Sequence, residues 1–182
     1  MPENGLLDAS TPSIRRAVEL LVGVFDALVD PAHWCRGALA CDREGEPIDG
    51  PILEVVAGVA TSRCLLGELL HQGLTRGYEI EIASVDYLGG QVPIEITRAP
   101  ASWMLAGSAL AFVERSLNPQ RARRADKLRA KHSSLQPITP GQAVLRLAVW
   151  NDNSSGGHDE VISCVALAVQ MLRAELDRRA QE

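Results

Sequence analysis

Three side chains able to do chemistry, a thiol, an imidazole and a carboxylate, stand near predicted helix starts or turns. Cys64 follows Thr61-Ser62, two residues that commonly cap helices, so its sulfur is predicted in a first helical turn, where the dipole lowers a thiol pKa. A helix start at His158 favours the neutral imidazole that a general base needs. With Asn151 or Asp152 orienting that imidazole, the set predicts acyl or glycosyl transfer with Cys64 as the nucleophile.

The same residues have a purely structural interpretation. Cys64 would pack into the core beside Gly67, whose missing side chain would let another helix approach. His158 would then be a residue of an N-terminal turn, and Asn151 and Asp152 would cap turns through their own side chains. The sequence does not decide whether the chain is an enzyme, because no complete catalytic signature is present.

A second group of residues predicts binding in place of catalysis. Trp34 and Arg36 stack readily on planar groups, although a tryptophan at this position is also typical of a core anchor. Trp150 and Asn151 precede a polar loop that leads to a helix start at Glu160. We therefore expect a ligand cleft near Trp34, Trp150 and Asp152, with the following predicted binding residues: Trp34, Arg36, Trp150, Asn151 and Glu160.

Three segments in combination carry a family resemblance. They are the Trp34-Cys35-Arg36-Gly37-Ala38 segment that leads to Asp42-x-x-Gly45, the Cys64-Leu65-Leu66-Gly67-Glu68-Leu69 segment, and Trp150-Asn151-Asp152 followed by His158-Asp159-Glu160-Val161. This set resembles a family of uncharacterised actinobacterial and phage proteins with W-x-x-G-A, C-x-L-G-x-L and W-N-D…H-x-E-V motifs. The resemblance implies a shared architecture and no particular activity. Gly157 replaces the family's Thr before the histidine, which weakens the capping box there.

Composition limits the classes of partner. A net charge of −5 disfavours binding driven by nucleic-acid phosphates. The four cysteines form no CxxC pair and no zinc-finger spacing, so we expect free thiols and neither a metal nor an organic cofactor. The apolar run from Leu20 to Phe25 is too short to span a bilayer, and no basic region precedes an apolar stretch at the N-terminus. These features predict a cytoplasmic protein that does not enter membranes.

The periodicity predicts a mainly helical α+β fold with one or two β-hairpins packed against the helices. Helices are expected after Thr11-Pro12, over Val59 to Gln72, after Pro100 and from about His158 onwards. Hairpins are expected over Gly37 to Asp49 and Tyr78 to Thr97, whereas the segment from Ala143 to Trp150 fits either a strand or a helix. The polar residues from Asn151 to Gly157 are predicted to form a loop.

The 182 residues are predicted to form a single domain, with residues 1–10 as an N-terminal tail and residues 120–140 as a basic, proline-containing connector. The preferred function is a small accessory protein that binds a small molecule or a protein partner. One alternative is a cysteine-dependent hydrolase or transferase using Cys64 and His158. The other is a structural module that forms a homodimer through an exposed edge of the Tyr78–Thr97 hairpin.

Overall fold

The structure is a computed structural model that describes residues 9–87, 90–117, 119 and 139–182. It has the mainly helical α+β fold that the sequence predicts, with six α-helices and two small antiparallel sheets in this part of the chain. The helices are α1 (Thr11–Leu28), α2 (Ile52–Ala57), α3 (Leu65–Thr75), α4 (Ala101–Leu117), α5 (Pro140–Asn153) and α6 (Gly157–Ala180). The strands are β1 (Ala40–Cys41), β2 (Ser62–Arg63), β3 (Glu81–Tyr87) and β4 (Gly90–Arg98).

Helix α1 forms the centre of the core, where it packs against α3, α4 and α6. Its apolar residues recur every three or four positions, so one face is continuously buried. The helix begins one residue earlier than the Thr11-Pro12 pattern indicates, because the Ser10 side chain accepts the cap hydrogen bond from the Ser13 N–H. A 3₁₀ turn over Pro31–His33, capped by Asp30, follows the helix.

The prediction of one helix over Val59 to Gln72 is wrong in its first half. The chain instead forms α2, ends it at Gly58, and passes through the extended strand β2 before α3 begins at Leu65. Ser62 is therefore a strand residue, Thr61 directly precedes the strand, and neither caps a helix. Their backbone groups pair with β1, in the register Cys41 opposite Ser62, which overrides the local helical pattern.

The turn of the hairpin predicted over Gly37 to Asp49 is present, but the strand that precedes it, β1, pairs mainly with a segment that is distant in sequence. Gly45 has a φ of 84°, and the Asp42 carboxylate accepts from the N–H groups of Glu44 and Glu46. Across the turn, the two arms of the predicted hairpin are paired only by an isolated bridge between Cys41 and Pro47. The β1 strand pairs with β2 instead, so a contact between distant segments organises this region.

The second predicted hairpin is confirmed as β3 and β4, with Pro93 in a two-stranded sheet where both strands are edges. Ile82 lies opposite Ile96 on the face that turns inwards. The register shifts between Ala83 and Ser84, so Ile94 has no partner on β3. This bulge explains why Ile94 is exposed although it stands two residues from buried Ile96.

The undecided segment from Ala143 to Trp150 lies within helix α5. A capping box starts the helix: the Thr139 hydroxyl accepts from the Gln142 N–H, and the Gln142 side chain accepts from the Thr139 N–H. The Thr139 hydroxyl also donates to Glu95, and a Cβ on Gly141 would lie 2.4 Å from the Ile96 oxygen. The missing side chain thus lets α5 begin directly against β4.

The helices predicted after Pro100 and from about His158 are present as α4 and α6, and each buries apolar residues in the core. Trp103 and Leu110 are fully buried in α4, and Val165 and Leu172 are fully buried in α6, whereas Leu117 at the end of α4 is 39% exposed. The loop predicted over Asn151 to Gly157 is shorter, because α5 continues to Asn153. The basic segment Arg121 to His132 lies outside the described residues. Within the described ranges, the helices lack the length and apolar character required to cross a bilayer.

Candidate functional site

Asn151, near the end of α5, is the centre of the polar cluster that joins the three motif segments. Its side chain is fully buried. The Oδ1 atom accepts from the Trp34 indole N–H at 2.7 Å and from the Leu65 backbone N–H at 3.2 Å. The amide nitrogen donates to the Cys35 oxygen at 3.0 Å and to the Asp152 carboxylate at 3.2 Å. These four bonds use both donors and the usual acceptor capacity of the side chain, so Asn151 holds three segments together.

The neighbouring residues strengthen the same connection. The Asp152 carboxylate accepts from the Gly37 N–H at 2.8 Å, and Gly37 has a φ of 76°, which favours glycine. Arg36 donates to the Ser154 backbone oxygen at 2.9 Å and to its hydroxyl at 3.3 Å. The segment after the 3₁₀ turn is therefore fixed to the connection between α5 and α6.

Trp34 is half-buried and in contact with a cation and an imidazole. The Arg36 guanidinium carbon lies 5.0 Å from the centre of the indole, within the range of a cation–π interaction. The His158 ring centre is 5.6 Å away at an angle of 58°. The His158 Nε2 atom lies 2.7 Å from the Leu28 backbone oxygen, which can only accept a hydrogen bond, so Nε2 is the donor. The Nδ1 atom lies 3.8 Å from the Asp159 carboxylate.

Cys64 caps helix α3, but in a buried position. Its sulfur accepts from the Gly67 N–H at 3.3 Å, and only 1% of the residue is exposed. Burial raises the pKa of the Cys64 thiol to about 12, an effect larger than the lowering by the backbone N–H groups of Gly67 and Leu66. The predicted low pKa at a helix start is therefore wrong, because desolvation outweighs the helix terminus.

Gly67, the glycine of the motif that begins at Cys64, allows a close backbone approach. A Cβ on Gly67 would lie 2.0 Å from the Leu39 backbone oxygen. A loop segment, and not the second helix that the structural interpretation proposed, occupies this space. The N–H of Cys64 donates to the same Leu39 oxygen at 3.2 Å, so the close approach is also a hydrogen-bonded one.

The predicted catalytic residues are not arranged as a catalytic set. None of the hydrogen bonds of Cys64 or His158 joins the two side chains, since the Cys64 sulfur contacts Gly67 and His158 contacts Leu28. Asp152 positions the Gly37 N–H and not the imidazole. A neutral, buried thiol without a contacting base does not provide the activated nucleophile that acyl or glycosyl transfer needs.

The predicted binding residues divide into buried and exposed groups. Trp150 is 2% exposed and Asn151 is fully buried, so neither lines a surface cleft as expected. The Trp150 indole N–H is buried without an acceptor in the described part of the chain. Arg36 is exposed, whereas the Glu160 carboxylate accepts from the Gly156 N–H at 2.9 Å. Glu160 therefore helps to start α6, in the manner of half a capping box.

A buried ion pair next to this cluster was not anticipated. Glu68 is 3% exposed, accepts from Gln72 at 2.6 Å, and lies 3.7 Å from the Arg63 guanidinium. Arg63 also donates to the backbone oxygens of Val56 and Gly58. The pair thus satisfies carbonyl groups at the end of α2, a structural task. Among the described residues, the acidic, histidine and cysteine side chains form no cluster suited to a metal ion.

The hairpin carries a surface that sequence reasoning missed. Val85, Val92 and Ile94 are 46%, 44% and 47% exposed, and Val85 lies directly opposite Val92. The alternation of Val92, Ile94 and Ile96 placed all three on one face, and only the bulge separates them. Proline at position 93 was the available signal, because it is typical of an edge or a bulge.

Comparison with family models, curated proteins and solved structures gives no match for this chain. The resemblance to the actinobacterial and phage family stays a prediction that rests on the three motifs. Their physical meaning is visible without relatives, because the Trp34, Cys64 and Trp150 segments are the three that Asn151 joins.

Proposed function

We propose that this chain is a non-catalytic binding module whose contact surface for another polypeptide is the outer face of the β3–β4 hairpin. The observation that carries the proposal is the joint exposure of Val85, Val92 and Ile94. Exposed apolar groups that lie together commonly mark sites of protein interaction, whereas scattered single ones are ordinary. The cluster Val85, Val92 and Ile94 is called the hairpin patch below.

The polar cluster supports a binding role indirectly. Most of the side chains predicted to do chemistry have internal partners, and the thiol is buried and neutral. Nucleophilic catalysis would need an accessible reactive group near a base. The cluster around Asn151 instead stabilises the body from which the hairpin is presented.

The charges around the hairpin favour an apolar partner segment. At its base, Arg98 lies 3.2 Å from both the Glu79 and Glu81 carboxylates, so its positive charge is paired and one negative charge is left over at this end of the hairpin. The hairpin patch itself carries no charge. A partner that covers it would therefore contribute apolar side chains, with backbone pairing along a strand edge as an added source of affinity.

Self-association is the first test, with purified protein in sedimentation equilibrium. The informative variant is Val92→Lys, which places a charge in the hairpin patch; the control is Val59→Lys, at a valine that is 102% exposed and outside the hairpin. A wild-type dimer that Val92→Lys dissociates and Val59→Lys leaves intact identifies a second copy as the partner. A dimer that resists Val92→Lys overturns the proposal.

For a monomeric wild type, the partner is a different polypeptide, and photo-crosslinking in cells that naturally express the chain tests it. A photoreactive residue at position 92 should give one discrete adduct, and the same residue at position 59 should give none. The second substitution Ile94→Asn should remove the adduct while leaving the circular dichroism spectrum unchanged. Equal adducts at positions 59 and 92, or none at position 92, refute the hairpin as the contact surface.

A further inference from the structure

A cleft lies between the start of helix α1 and the end of helix α6. Its volume is about 270 Å³, just below the range of about 300–1,000 Å³ that is typical of pockets for drug-sized ligands, so it suits a smaller molecule. Four of the lining residues are exposed and two are half-buried, so the cleft is open to solvent. The cleft, called the terminal cleft below, is lined by Thr11, Arg15, Leu176, Asp177, Arg179 and Ala180.

Arg179 connects the two helices that form the terminal cleft. Its guanidinium donates to the Glu175 carboxylate at 2.6 Å and to the backbone oxygen of Ala9, immediately before the cap of α1. Hydrogen bonds from Arg178 and Arg179 lower the pKa of Glu175 to about 2, so this carboxylate is ionised at neutral pH. Arg178 has Glu182 as a second partner, so two positive and two negative charges balance here. Arg179 therefore fixes the shape of the cleft, and its charge is already paired.

Arg15 and Asp177 are the remaining charges of the terminal cleft, one of each sign. Arg15 lies about one turn after Thr11 on α1, and Asp177 follows Leu176 on α6. Both side chains are exposed, and neither forms an ion pair or a hydrogen bond with another residue in the described part of the chain. The helix ends add to this division of charge, because the start of α1 carries a partial positive charge and the end of α6 a partial negative one. One wall of the cleft is therefore positive and the other negative.

Leu176 gives the terminal cleft an apolar side. It is half-buried and packs against the core, and Ala180 lies about one turn further along the same face of α6. A ligand that places an alkyl group there removes apolar surface from water, which adds affinity that does not depend on charge. The terminal cleft thus combines a cation, an anion and an apolar surface.

We propose that the terminal cleft binds a free α-amino acid with an aliphatic side chain, with its carboxylate at Arg15, its ammonium group at Asp177 and its side chain against Leu176. Such a molecule is a zwitterion at neutral pH, so it pairs with both charges at once. An anion without an ammonium group leaves Asp177 unpaired, and a cation without a carboxylate leaves Arg15 unpaired. Exposed ion pairs are individually weak, so we expect a dissociation constant on the order of 1 mM. The lining residues are distinct from the hairpin patch, and neither proposal depends on the other.

A nuclear magnetic resonance titration of the isotope-labelled full chain at neutral pH tests the proposal. The probes are L-leucine, 4-methylpentanoate, which lacks the ammonium group, and 3-methylbutylamine, which lacks the carboxylate. L-leucine should shift the backbone amide signals of Thr11, Leu176 and Ala180 in a saturable manner, and each analogue should bind about fivefold more weakly. An analogue that binds within about twofold of L-leucine, or the absence of saturable shifts at these residues up to about 20 mM L-leucine, would overturn the proposal.

Variants assign the two charges. Arg15→Gln and Asp177→Asn should each weaken L-leucine binding about fivefold, whereas Arg16→Gln and Asp26→Asn, at exposed residues of α1 outside the cleft, should change it by less than about twofold. Arg15→Gln should leave the binding of 3-methylbutylamine unchanged, because that probe has no carboxylate to pair with the guanidinium. Equal losses for both probes, or equal effects of Arg15→Gln and Arg16→Gln, would contradict the assignment of the carboxylate to Arg15 and overturn the proposal. The three probes on the wild type decide the matter even if a variant fails to fold.

Discussion

Replacing Asn151 by alanine should be among the most destabilising single changes in this protein. The substitution removes the acceptor of the Trp34 indole N–H and the Leu65 N–H, and the donor to the Cys35 oxygen. A buried polar group that loses its partner costs about 1–3 kcal/mol. Trp34 and Cys35 are half-buried and gain some water, so the lower part of this range applies to them, whereas Leu65 is fully buried. The sum is a loss of about 3–5 kcal/mol in the free energy of unfolding.

Urea denaturation followed by circular dichroism measures this loss. The control is Asn153→Ala in the last turn of the same helix, where the exposed amide contacts only the Val149 oxygen. That change should cost within about 0.5 kcal/mol. If Asn151→Ala lost less than about 1 kcal/mol, or no more than Asn153→Ala, the three segments would not depend on Asn151, and the structural interpretation of the motifs would be refuted.

Three further predictions test the core, the thiol and the end of α6. Leu172→Ala should lower the free energy of unfolding by about 2–5 kcal/mol because the side chain is fully buried, whereas Leu167→Ala, 40% exposed on the same helix, should cost under about 1 kcal/mol; equal denaturation midpoints would contradict this. Alkylation of Cys64 in the folded protein, followed by peptide mass spectrometry, should rise about tenfold per pH unit between about pH 7 and 9, since its pKa is raised to about 12; a plateau below pH 8 would restore the nucleophile hypothesis. Hydrogen bonds from Arg178 and Arg179 lower the pKa of Glu175 to about 2, so the stability that the ionised Glu175 contributes is present above the unfolded-state pKa of about 4.3 and is lost towards pH 2. Glu175→Gln should therefore lower the free energy of unfolding by about 0.5–1 kcal/mol at pH 7 and not at pH 2. A loss of stability that does not depend on pH would contradict the ion pair.

The apolar periodicity of the chain was sufficient to predict the long helices and the β3–β4 hairpin. Helices α1, α4 and α6 each follow an apolar residue every three or four positions, and this pattern buries one face whatever the neighbouring element is. Strands β1 and β2 could not be predicted in this way. Each has two residues and forms only because the other lies beside it, and local propensity contains no information about a pairing between distant segments.

The sequence by itself also identified the residues of the polar cluster, since Trp34, Cys64, Asn151, Asp152 and His158 all lie in or beside it. Their roles were decided only by the tertiary structure. The same cysteine at a helix start is reactive when exposed and inert when buried, and the sequence around Cys64 does not specify its burial.

Tertiary packing also decides whether these polar residues form a functional site or only connect segments of the structure. Residues separated by more than a hundred positions, such as Trp34 and Asn151, meet only after the helices have packed. Whether a donor then faces solvent or another side chain depends on that packing. The sequence thus determined the long helices α1, α4 and α6 and which polar residues matter, while tertiary packing paired those residues with one another and left the hairpin patch exposed.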